Sequence, residues 1–154
     1  MIPPFLRLPG APFAVLPPGI HWATLEEIKA RFGQTARRAW LFEGVLAVAE
    51  ALRQANCAHI YLDGSFVTEK PEPNDFDGCW DATGVIAALL DPVLLEFANG
   101  RASQKLKYRG EMFVAGFVNS GTETFLDFFQ RDKFTGAAKG IVGIKLKAID
   151  GAPQ

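Results

Sequence analysis

A chain of 154 residues with an apolar fraction of 49% has the length of one domain and ample material for a core. Its formal net charge of −1 excludes a global field for nucleic acid and leaves only a local basic groove as an option. Two cysteines, Cys57 and Cys79, exclude a disulfide framework or a zinc cluster and read as reduced thiols of a cytoplasmic protein. No signal peptide is visible, and no stretch approaches the roughly 20 continuous apolar residues that a bilayer requires, so no membrane association is expected.

Residues 1–20 form a proline-rich arm. Pro3, Pro4, Pro9, Pro12, Pro17 and Pro18 remove backbone donors and bar the segment from a helix interior or a central strand. Ile2, Phe5, Leu6, Leu8, Phe13, Val15 and Leu16 make it too apolar for a solvated tail. An extended arm that packs on its own domain or on a partner subunit is expected, which leaves homo-oligomers open. Residues 21–150 are read as a single domain.

Thr24 and Glu27 have the spacing of a capping box and predict a helix that stops at Gly33. Thr35 caps a longer helix over 35–55, with Trp40, Val45, Ala49 and Leu52 as its buried stripe. Arg37, Arg38, Glu43, Glu50 and Arg53 are assigned to its solvated face. The apolar run 58–63 predicts a buried strand. His59 reads as a satisfied or partly exposed histidine, and Asp63 either orients Ser65 or only forms the turn. After Gly64-Ser65 and a loop rich in proline and charge, a second strand is expected over 75–81. Alternate side chains of a strand share a face, so Asp75 and Asp77 project together while Phe76 enters the core. Two neighbouring carboxylates repel, and a divalent cation with a preference for hard oxygen ligands is the usual compensation.

Thr83 or Gly84 predicts the start of a helix that breaks at Asp91-Pro92, where a second helical piece begins, buried by Leu94, Leu95 and Phe97 and stopped by Asn99-Gly100. Arg101, Lys105, Lys107 and Arg109 make the densest basic stretch, either a solvated helix end or loop or a phosphate-facing patch. A third strand over 111–118, a short helix over 122–132 with Phe125, Leu126, Phe128 and Phe129 in the core, and a last strand over 140–147 complete the series. The order implies an α+β (mixed α/β) fold with helices mainly on one face of a small sheet.

The ordered set of a strand, Gly64-Ser65, a spacer and Asp75-Phe76-Asp77 resembles the signature of the DNA polymerase beta-type nucleotidyltransferase superfamily. The wider stretch is similar to an uncharacterised family of small bacterial proteins with that core, as are Phe128-Phe129-Gln130-Arg131-Asp132 and Lys139-Gly140-Ile141-Val142. The resemblance implies transfer of a nucleoside monophosphate from ATP or another NTP to a protein or RNA hydroxyl. It further implies Mg2+ or Mn2+ held by Asp75 and Asp77, and a toxin–antitoxin or phage-defence setting. A third carboxylate is expected from a neighbouring strand. Glu111 is the first choice, with Asp127 and Asp81 weighed behind it. Gly64 would let backbone approach the phosphates, and Ser65 would offer its hydroxyl and N–H. Lys70, Lys107 and Arg109 are candidate triphosphate contacts, each set against ordinary surface charge. The competing reading is a catalytically degenerate binding or interaction module, antitoxin-like or regulatory, that docks through the arm.

Overall fold

The Thr24 capping box forms as the spacing requires: Thr24 Oγ1 accepts from Glu27 N–H at 3.1 Å, and Thr24 N–H donates to Glu27 Oε1 at 3.0 Å. The computed structural model, which describes residues 1–117 and 123–147, places helix α1 at Leu25–Phe32 and α2 at Ala36–Gln54, the latter capped by Thr35. The strands are β1, Gly19–Trp22; β2, His59–Asp63; β3, Phe76–Trp80; β4, Gly110–Val114; and β5, Gly140–Lys145. They form one sheet in the order β1-β5-β2-β3-β4. β2 runs antiparallel to β3 and β5, while β1 with β5 and β3 with β4 are parallel. With α3 at Ala98–Tyr108 and the short α4 at Phe125–Phe128, the fold is α+β.

Strand alternation divides the sheet between two environments. Ile60, Leu62, Phe76, Met112, Val142 and Ile144 enter the main core with Leu41, Val45, Val48 and Leu52 of α2. Tyr61, Cys79, Phe113 and Ile141 point the other way, against Leu126 and Phe129 around α4. This second face also receives the aspartates. The outer strand β4 is guarded by α3, because the buried Gln104 side chain accepts from Met112 N–H at 2.7 Å.

The arm packs on its own domain. Leu6 and Val15 pair in an antiparallel bridge, Leu16 is fully buried, and Phe5 meets Phe32 edge-on. His21 and Trp22 lie in β1, which extends the sheet beside β5.

Several expectations are corrected. Residues from 83 to 91 form no α-helix; the chain makes only short 3-10 turns at Ala87–Leu89 and Pro92–Leu95. Leu95 and Phe97 are exposed, and only Leu94 is buried there. The basic stretch is the body of α3, preceded by positive φ at Asn99, Gly100 and Arg101. Phe128 is also exposed rather than core. Trp40 does not join the buried stripe; its exposed ring is covered by the guanidinium groups of Arg37 and Arg109. The expected helix over 122–132 contracts to α4, and residues 118, 122 and 148–150 of the predicted spans lie outside the described residues.

The largest correction is Arg38, assigned to the solvated face of α2 and in fact buried. Its guanidinium donates to the carbonyls of Phe32 (3.1 Å), Phe66 (2.6 Å), Thr68 (2.8 Å) and Lys70 (2.5 Å). A cation there satisfies backbone acceptors that a buried loop would otherwise leave unpaired. Arg38 thereby ties the loop after Gly64-Ser65 to the helical layer.

Candidate active site

The site begins with register. Asp63 at the end of β2 pairs with Asp77 of β3, and Asp77 pairs with Glu111 of β4. Residues directly opposite across strands share a face, so three carboxylates form one row across three strands. Asp75, just ahead of β3, adds a fourth on the same alternation. Phe76 between them is fully buried in the opposite core, as expected. Glu111 therefore stands beside the aspartates, at the place expected for the third carboxylate. Asp81 leaves the site and faces His59, 3.5 Å away, and Asp127 is exposed on α4.

Like charges directly opposite one another are unfavourable, and burial adds to the cost of ionising them. Burial, then the Asp77 charge, pushes the Asp63 carboxyl well above the usual carboxylate range. Asp77 is pushed up to about 8, by burial first and then by Asp75 and by its hydrogen bond and charge contact with Glu111. Asp75 is also raised, by burial and by Glu111. Glu111 moves the other way. Burial would raise it, but hydrogen bonds from Lys105 and Asp77 and the nearby Arg101 carry it below its ordinary value. One oxygen of the buried Asp63, Oδ2, has no hydrogen-bond partner.

Gly64 follows Asp63 with φ +72°, and a Cβ there would collide with the Asp77 carboxylate. The turn is therefore restricted to glycine twice, by conformation and by space. Gly64–Val67 forms a single 3-10 turn, and the Thr68 hydroxyl donates to the Ser65 carbonyl at 2.8 Å.

A cavity of about 710 Å³ opens over this turn. Asp63, Gly64, Ser65, Asp75 and Asp77 line it, with Pro12 and Phe13 of the arm on one side. The hairpin around residues 131–139 and Phe128 supply another wall. Lys70, Lys133 and Lys139 bring cations to it. A second cavity of about 530 Å³, between Trp22, α1 and Ile144, has no such row of carboxylates.

Of the expected cationic contacts, only Lys70 reaches the cavity. Lys107 pairs with Asp91 at 2.5 Å, and Arg109 pairs with Glu43 at 2.9 Å while donating to the Trp40 carbonyl at 2.7 Å. Both assignments as phosphate contacts are corrected: their charges are spent on α3's own neighbours. Lys105 and Arg101 turn to Glu111, at 3.0 and 3.2 Å. Sequence reasoning missed Lys139, which stands one residue ahead of β5 and lowers the pKa of both Asp63 and Asp77. It also underrated Asp63, whose pairing with Asp77 is a matter of register that no local pattern shows.

The donor set fits a hard divalent cation on chemistry: buried Asp63 beside half-buried Asp75 and Asp77, raised pKa values caused partly by mutual repulsion, and an unpartnered Asp63 oxygen. Among the described residues, no group of three or more His, Cys, Asp and Glu side chains is placed to hold a metal ion, so the chain would supply the aspartate pair and the substrate the remaining oxygens. Among the same residues, no helix is long and apolar enough to cross a membrane.

No curated protein and no solved structure matches the chain. A family model does match, over residues 11–145, and the chain belongs to that family, described as a family of unknown function (DUF6932).

Proposed function

We propose that the protein is a metal-dependent nucleotidyltransferase that moves a nucleoside monophosphate from ATP or another NTP to a hydroxyl of a protein or RNA. The observation that carries this reading is the row Asp63–Asp77–Glu111, with Asp75 beside it: Asp63, Asp75 and Asp77 line a cavity that also presents Gly64, Ser65 and lysines, and Glu111 stands next to Asp77 on the adjacent strand without lining it. Reactions of this class need positioning and charge neutralisation at the reacting phosphate more than covalent chemistry from the protein. Asp75 and Asp77 would hold Mg2+ or Mn2+. When bound, that ion supplies charge neutralisation at the phosphate undergoing transfer.

The chain's own residues account for the rest. Gly64 leaves the turn without a Cβ beside Asp77, so backbone and carboxylate share one narrow space. Arg38 fixes the carbonyls of the following loop and so fixes the direction of Ser65. In the transfer, the acceptor oxygen bonds to the α-phosphorus as the bond to the pyrophosphate oxygen breaks. The acceptor proton passes to a carboxylate of the row. Glu111, on the next strand, is the carboxylate placed to take it, because Asp75 and Asp77 are committed to the cation.

The ion pairs on Glu111 favour one second reading. A third carboxylate already neutralised by two cations suits a degenerate module that binds nucleotide without turnover. Calorimetry of NTP binding with and without Mg2+ tests the shared part of both readings. Magnesium should strengthen binding in the native chain, and Asp75→Asn with Asp77→Asn should remove that strengthening. Equal coupling in the double variant overturns the site.

A further inference from the structure

The cations around the carboxylate row fall into two groups. On the α3 side, Arg101 and Lys105 are committed to Glu111, Lys107 to Asp91 and Arg109 to Glu43. Of the cations that line the cavity, Arg131 pairs with Glu123, while Lys70, Lys133 and Lys139 form no salt bridge within 4 Å among the described residues. Lys139 is half-buried and acts electrostatically on Asp63 and Asp77, and Lys70 acts on Asp75. The hairpin that carries Lys133 and Lys139 is built to a fixed shape. Buried Asp132 accepts from Phe134 N–H at 3.0 Å and Thr135 N–H at 2.8 Å, Asp132 N–H donates to the Ala137 carbonyl, and Lys139 N–H donates to the Gln130 carbonyl.

Resting on the nucleotidyl-transfer reading, we propose that Lys70, Lys133 and Lys139 form a polyphosphate cradle along the cavity wall. The phosphate chain of the substrate runs from the carboxylate row toward the 131–139 hairpin, away from α3. An ammonium group is a compact point charge that suits a mobile phosphate chain. Three of them beside three aspartates counter the negative charge that a triphosphate would add to an acidic floor. A monophosphate spans only the row and cannot engage the hairpin, so the cradle selects for the number of phosphates. Lys139 is the central member, because it faces both the row and the hairpin.

The test is binding by the full chain of inorganic tripolyphosphate, ATP and AMP, each with and without Mn2+. Lys139→Gln should weaken tripolyphosphate and ATP by about tenfold or more and AMP by less than about twofold, the scale of one charged contact. Lys139→Arg should recover part of the loss. Lys70→Gln combined with Lys133→Gln should act in the same direction, and this pair carries the test if Lys139→Gln melts at room temperature. Lys107→Gln, paired with Asp91 outside the cavity, should change nothing. Unchanged tripolyphosphate affinity in the Lys139 and Lys70/Lys133 variants, an equal loss in Lys107→Gln, or no tripolyphosphate binding by the native chain overturns the cradle. Failure of the underlying reading is seen separately. It would appear as Mn2+ binding that survives Asp75→Asn with Asp77→Asn, while the metal-free tripolyphosphate series still judges the lysines.

Discussion

Asp63 and Asp77 stand directly opposite each other across β2 and β3, and the inner oxygen of Asp63 has no hydrogen-bond partner. Two carboxylates in that relation share a buried, low-dielectric space, and each makes ionisation of the other harder.

The first consequence is a pH dependence of stability. Asp77 titrates near 8 in the folded chain, against about 4 for an unperturbed aspartate, and Asp63 is raised in the same sense. A carboxyl raised in the folded state binds its proton more tightly there than in the unfolded chain. Its contribution is fully present below about pH 4 and is lost as pH rises through about 8. Melting temperature measured without divalent ions should therefore fall between pH 5 and 9. Asp77→Asn, which cannot ionise, should flatten that fall and melt higher than the native chain at pH 9. A native profile that rises over the same range contradicts the assignment. Glu111, lowered by Lys105 and Asp77, acts oppositely, and its contribution is lost only on acidification below its ordinary range.

Gly64 is tested by its smallest replacement. Gly64→Ala places a methyl group against the Asp77 carboxylate at a positive φ. The strain and the clash should cost about 1 to 3 kcal/mol, or roughly 3 to 10 °C in melting temperature. The more telling readout is Mg2+-dependent NTP binding, which should fail in the folded variant. Native affinity in Gly64→Ala would show that the close approach has no functional meaning.

Arg38 concerns the scaffold beneath the site. Arg38→Ala strands several carbonyls of the 66–70 loop in a buried setting, and each lost partner costs about 1 to 3 kcal/mol. A loss of about 3 kcal/mol or more is expected in chemical denaturation. Arg38→Lys should rescue only partly, because one ammonium cannot reach the same set of acceptors. A change within about 0.5 kcal/mol, the range of an ordinary surface substitution, would contradict this role.

The strand-and-turn core was legible in the sequence because it rests on local rules. The Thr24 capping box, the alternation of Asp75, Phe76 and Asp77, and the Gly64 turn each follow from a few neighbouring residues. What depends on register was not legible. Asp63 joins the site only because β2 pairs with β3 in one alignment, and Lys139 only because β5 lies on the other side of β2. Arg38 looked like surface charge because its position on α2 neighbours Arg37, yet its partners lie some 30 residues away in the chain. The basic stretch over 101–109 misled for the same reason: its partners Glu111, Asp91 and Glu43 are brought there by folding.

Glu111 separates the enzyme from the binder. A group that acts mainly in the transition state lowers turnover more than ground-state affinity when removed. Glu111→Gln should keep NTP binding within a few-fold and lower the transfer rate on the order of 10² or more, the scale of one acid–base or electrostatic group. A transfer rate unaffected by Glu111→Gln would leave the Glu111–Asp77 pairing as architecture alone.

The most direct test of the central claim is an anomalous difference map from crystals soaked with Mn2+ and a non-hydrolysable NTP. The account predicts a manganese peak within coordination distance of Asp75 and Asp77, about 2 to 2.3 Å for a hard oxygen donor, with the phosphate chain lying toward Lys139. Nucleotide ordered elsewhere on the chain, or no peak at these carboxylates under saturating manganese, would contradict it.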